Sequence, residues 1–155
     1  MKRRMCLLLS AALLLLTIGC AREVQEETES YSLYFLEAEP EMGGGALQTE
    51  KAYLPELEAA GPEEAAKSLM EALLQGPLDM TLKSPIPAGT SLLSLKLQGG
   101  RATVDLSAGY ASLSGVALTL ADYAVTLTLT QVPEIGSVKI TVRGQELAYR
   151  NKQTF

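Results

Sequence analysis

The sequence predicts an α+β fold: a mostly antiparallel sheet with two helices packed on one face, in the order ββαββαββ. Three observations predict it. Apolar residues recur at helical spacing over residues 62–75. They alternate with polar ones over residues 93–106, on either side of Gly99-Gly100. From Leu113 they again fall at helical spacing. Helices set among hairpin-forming strands pack together on one side of the sheet.

Each element has its own warrant. Residues 31–36, Tyr-Ser-Leu-Tyr-Phe-Leu, are rich in aromatic and apolar side chains and read as a strand. Gly43-Gly44-Gly45 is a flexible connection, and residues 47–53 give a second strand. Gly61 serves as N-cap for a helix over 62–75, with Pro62 at its first position and Glu63 and Glu64 at the positive end of its dipole. Ala66, Leu69, Met70, Leu73 and Leu74 form its buried face, and Gly76-Pro77 stops it. Residues 78–90 read as a loop shaped by Pro85, Pro87 and Gly89.

Leu93, Leu95 and Leu97, then Ala102, Val104 and Leu106, alternate on the two arms of a hairpin turned by Gly99-Gly100. Asp105 and Ser107 are expected to cap the segment that follows. Residues 113–132 carry both periodicities. Leu113, Val116, Ala117, Leu120, Ala124 and Leu127 fit a helical face, whereas Thr126, Thr128 and Thr130 favour a strand. Their length argues for helix. Val138, Ile140 and Val142 then form a strand, and residues 145–147 return after Arg143-Gly144.

The chain start is of a different kind. Lys2, Arg3 and Arg4 precede a nearly unbroken apolar run over residues 5–18, short of the roughly 20 residues that span a bilayer core. That is the pattern of a secretory signal. Leu16-Thr17-Ile18-Gly19-Cys20 resembles the bacterial lipobox: Ile18, Gly19 and Cys20 match, and Thr17 stands where Leu is usual. The resemblance implies that residues 1–19 are removed and that the Cys20 thiol carries a diacylglyceryl group. A plain secretory signal with an incidental Cys, or an uncleaved anchor helix, are the alternatives. Two acyl chains, at about 0.8 kcal/mol per buried methylene, are enough for stable anchoring. The expected location is the outer face of the cell membrane, with membrane lipid as the first partner.

Residues 20–30 hold Glu23, Glu26, Glu27 and Glu29 beside Val24 and read as an acidic, flexible tether. Residues 31–147 make one domain of ordinary size, and 148–155 a tail. The formal net charge of −5 becomes −8 once Lys2, Arg3 and Arg4 leave with the signal. So acidic a chain is unsuited to nucleic acid, and it is repelled by anionic lipid, which leaves the acyl chains to hold it.

Catalysis is argued against by residue type. There is no His, hence no imidazole base or ligand. Cys6 leaves with the signal and Cys20 is taken by lipid, so no thiol serves a disulfide or a metal site. No metal and no cofactor are expected. Ser–Lys and paired-carboxylate chemistry stay formally open, but no spacing singles out a pair, and no catalytic residue is assigned.

Leu73-Leu74-Gln75-Gly76-Pro77, then Ile86-Pro87-Ala88-Gly89-Thr90, then Val104-Asp105-Leu106-Ser107 form a series that resembles the GerMN domain of sporulation and germination lipoproteins. So do Leu129-Thr130-Gln131-Val132-Pro133 and Val138-Lys139-Ile140. The resemblance covers about residues 31–147. It implies a non-enzymatic protein–protein interaction or scaffold module in sporulation, germination or envelope assembly, with envelope or sporulation proteins as partners. The alternative is a lipoprotein that binds a cell-wall glycan or a germinant, for which a concave, aromatic-lined pocket is required.

Overall fold

The computed structural model describes residues 30–39, 47–54, 57 and 59–147. Cys20, the signal segment 1–19, the tether up to residue 29, the glycine connection at 43–45 and the tail 148–155 lie outside the described residues.

Strands β1 (Ser30–Glu37) and β2 (Leu47–Tyr53) pair antiparallel, with Leu33 opposite Glu50 and Phe35 opposite Gln48. Leu33 and Phe35 alternate into the core. Helix α1 (Pro62–Gln75) starts after Gly61 and ends at Gly76, whose φ of +89° suits glycine alone. Ala66, Leu69, Met70 and Leu73 are fully buried along one face, as the i, i+3, i+4, i+7 spacing requires. Burial of each Leu or Met contributes about 1.5–3 kcal/mol.

Residues 78–90 are not wholly loop. Leu82 and Lys83 form β3, which pairs antiparallel with Leu36 and Glu37 at the far end of β1. Two residues carry no period, so no local pattern announces this strand. Beyond β3, Ile86 is buried between its prolines, and the Ser84 hydroxyl bonds both main-chain groups of Ile86 at 3.1 Å.

Strands β4 (Leu92–Gln98) and β5 (Arg101–Leu106) make the predicted hairpin, with positive φ at both Gly99 and Gly100. The pairing contains a bulge: Leu92 faces Leu106 and Ser94 faces Asp105, which leaves Leu93 as the extra residue. Leu93 is therefore 51% exposed while Leu95 is buried. Alternation alone places Leu93 on the inner face.

A 3₁₀ helix (Ala108–Ser112) buries Tyr110, and helix α2 (Gly115–Leu129) follows. Helix thus wins over strand in this segment. Its buried face is only in part the expected one, with Ala124 buried and Leu120 half-buried. Leu118, Ala121, Ala124, Val125, Thr128 and Leu129 turn inward, whereas Val116, Ala117 and Leu127 face solvent. The physical reason is composition: of its fifteen residues only Asp122 is charged, so apolar stripes compete around the helix and packing on the strands decides between them.

The return through α2 brings β6 (Ser137–Val142) alongside β5 in parallel, as a helical crossover requires. The strands form two sheets of three, ordered β2–β1–β3 and β4–β5–β6. Helix α1 packs on β4 and β1, α2 packs on β1 and β6, and the helices pack on each other. The fold is therefore α+β and mostly antiparallel, with two helices. The expected return strand at 145–147 is reduced to one bridge, Val142 to Gln145, across a turn with positive φ at Arg143 and Gly144. Among the described residues no helix is long and apolar enough to cross a membrane.

Candidate functional site

The polar side chains with the best-defined bonds hold the fold together. Asp105 Oδ1 accepts from the Thr141 hydroxyl and from the Gly144 N–H, both at 2.7 Å. It ties β6 and the turn after it to β5 and does not cap the 3₁₀ helix. Asp105 and Thr141 are register partners on adjacent strands, so the side chain is aimed across the ladder, away from the cap position. Ser107 likewise makes no cap bond; its hydroxyl accepts the Ser91 N–H at 3.0 Å. The Tyr110 hydroxyl donates to Asp122 at 2.6 Å, which binds the one charge of α2.

Glu63, in the first turn of α1, accepts the N–H of Leu97 on the outer strand β4 at 2.9 Å. That bond, more than the ion pair with Lys67 at 3.5 Å, holds its carboxyl below the usual range. A carboxylate placed on a strand edge also blocks pairing by another chain. Among the described residues, no three His, Cys, Asp or Glu side chains gather as a metal ion would require.

Three surface features remain. The first is a shallow cleft of about 270 Å³ lined by Ser30, Tyr31, Gln131 and Pro133. It is smaller than the roughly 300–1,000 Å³ of pockets that enclose a small ligand, and the Gln131 amide is bound to the main chain of Ser32.

The second is the outer face of α2, where Val116 is 75% and Tyr123 56% exposed, with Leu127 beyond them. These are side chains that the sequence assigns in part to the core. The signal for their exposure is the near-absence of charge in a helix that must lie at the surface of a small domain.

The third is the turn between α1 and β3. Leu78 is 91% and Met80 95% exposed, yet the turn that carries them is held at several points. Glu50 on β2 accepts the Leu78 N–H at 2.9 Å and the Asp79 N–H at 2.7 Å. Asp79 accepts the Thr81 N–H at 2.8 Å and its hydroxyl at 2.7 Å, bonds that lower the Asp79 pKa. From the sequence this stretch is a proline-shaped loop; what singles out Leu78 and Met80 is two large apolar residues with no periodic partner. Cys20, the site residue expected from the sequence, lies outside the described residues.

A family model described as Germane, sporulation and spore germination, matches residues 32–148. The first GerMN domain of the sporulation protein GerM from Bacillus subtilis is similar in structure, with a TM-score of 0.60. The two are 25% identical, over 77% of this chain and 86% of that one. The tandem GerMN domains of the same protein are similar with a TM-score of 0.53 and 23% identity, over 77% of this chain and 41% of that one. Among curated proteins no match is found.

Proposed function

This chain belongs to the Germane family of sporulation and spore germination, and from that premise we propose a non-enzymatic lipoprotein that acts as a protein–protein interaction module. It is anchored through Cys20 on the outer face of the cell membrane and works in sporulation, germination or envelope assembly. The observation that carries this reading is how the domain divides its side chains. Its best-defined carboxylates and amides are bonded to its own main chain, while large apolar residues stand outward on a pinned turn and on a helix face. Exposed apolar surface of this kind marks interaction sites. The resemblance of residues 16–20 to a lipobox supports the anchor. A ligand-binding lipoprotein that recognises a cell-wall glycan or a germinant is less well supported, because the cleft at Ser30 and Gln131 is shallow and its amide is occupied.

The test is a pull-down from detergent-solubilised membranes of vegetative and sporulating cells, with a Cys20→Ala control. Sporulation or envelope proteins recovered at fixed stoichiometry, with membrane retention dependent on Cys20, is the expected result. Membrane-bound protein that recovers no partner in either state overturns the module and favours ligand binding.

A further inference from the structure

We propose that the turn carrying Leu78 and Met80 is the docking element of this domain, and that it seats in an apolar pocket rimmed by Lys or Arg on a partner protein. The assignment rests on the interaction reading above. Three observations point to it.

The first is exposure on a hydrogen-bonded turn. Leu78 and Met80 are almost entirely in solvent, where a loop that only connects two elements is served by polar residues. Glu50 fixes the main chain of Leu78 and Asp79, and Asp79 fixes that of Thr81. The Thr81 carbonyl in turn accepts the Ala38 N–H at 2.8 Å. An anchor already held in its bound shape loses little conformational entropy on binding.

The second is charge. Glu50 and Asp79 lie in the turn's own supports. Glu39 follows Ala38 just past the end of β1, with Lys83 as the counter-charge on β3. The apolar pair therefore sits in an acidic rim. A second copy of the chain would bring the same carboxylates against it, and an anionic bilayer would repel them. A basic-rimmed pocket is the complement.

The third is position. β1 runs roughly 25 Å from Ser30, where the tether joins, to Glu37 beside this turn. The turn is thus at the opposite end of the strand from Ser30, the residue to which the proposed lipid-bearing segment is joined.

The experiment places a benzoylphenylalanine photocrosslinker at position 78, 80, 116 or 123 of the full-length lipoprotein in its own sporulating cells. Adducts are identified by mass spectrometry. Positions 78 and 80 are expected to join one and the same protein, through a peptide that contains Lys or Arg. Met80→Ser, at a side chain with no packing role, is expected to lower the adduct at 78 about tenfold, the loss of a binding hot spot. An adduct at 78 or 80 to lipid or to a second copy overturns the assignment, as does an adduct that Met80→Ser leaves unchanged. Protein adducts at 116 or 123 alone overturn it and leave the interaction reading standing. No protein adduct at any of the four positions overturns both.

Discussion

Gln131, just past α2, bonds both main-chain groups of Ser32, 99 residues earlier in the chain: its Oε1 accepts the Ser32 N–H at 2.7 Å and its Nε2 donates to the Ser32 carbonyl at 2.6 Å. The amide takes the place of a strand neighbour on the edge of β1 that β3 does not reach. The same Nε2 also meets the Thr128 carbonyl at 3.0 Å, in the last turn of α2. One side chain thus joins the first strand to the second helix.

Gln131→Ala leaves both Ser32 groups without that partner, and the expected loss is about 1–3 kcal/mol. It appears as a lower urea midpoint at unchanged slope. Gln131→Glu keeps the acceptor but sets an oxygen against the Ser32 carbonyl, so its loss is at least as large. A Gln131→Ala midpoint equal to that of the wild type shows that water replaces the amide at no cost.

The Leu97 N–H gives Glu63 a depressed folded pKa. A group depressed in this way contributes stability that is fully present above its ordinary value near 4.5 and is lost as pH falls from there through the lowered value. Glu63→Gln keeps an acceptor for Leu97 and removes the charge. The gap in urea midpoint between wild type and Glu63→Gln is expected to be constant above about pH 5 and to close below it. A gap independent of pH shows that the carboxylate does not hold Leu97 in solution.

The bulge in β4 separates two leucines that a simple alternation treats alike. Leu95 is buried and Leu93 is not. Leu95→Ala is expected to cost about 2–5 kcal/mol, and Leu93→Thr to stay within about 0.5 kcal/mol of wild type. Thermal or urea unfolding of the two variants decides it. Equal losses place Leu93 in the core and remove the bulge.

What was legible in the sequence follows from how much pattern each element carries. Helix α1 has a proline start, a glycine stop and a single apolar stripe between them, and its ends and face both follow. The β4–β5 hairpin is announced by Gly99-Gly100. Helix α2 shows its length but not its orientation, because a helix with only Asp122 charged offers no polar face to exclude. β3, the clamp at Gln131 and the Asp105–Thr141 bond are pairings between distant segments, and local pattern cannot carry them. The GerMN series predicts the family but not the docking turn, since Leu78 and Met80 gain their meaning from Glu50, 28 residues away.

Gly109 offers a last test of the packing beside the 3₁₀ helix. A Cβ there would stand 2.8 Å from Thr90 Oγ1 and 3.6 Å from the Thr90 Cα, and Thr90 is buried. No positive φ is involved, so the cost of Gly109→Ala is steric, about 1–3 kcal/mol for overpacking. Thr90→Ala alone removes a hydroxyl with no hydrogen-bond partner among the described residues, leaving a small void as its main effect. In the double variant the two methyl groups share the space that one threonine occupied. The two losses are then expected to fall short of additive by about 0.5 kcal/mol or more in a double-mutant cycle, read from four urea midpoints. Additive losses mean that the loop at Thr90 moves away from residue 109 as a whole, and the contact is not the constraint.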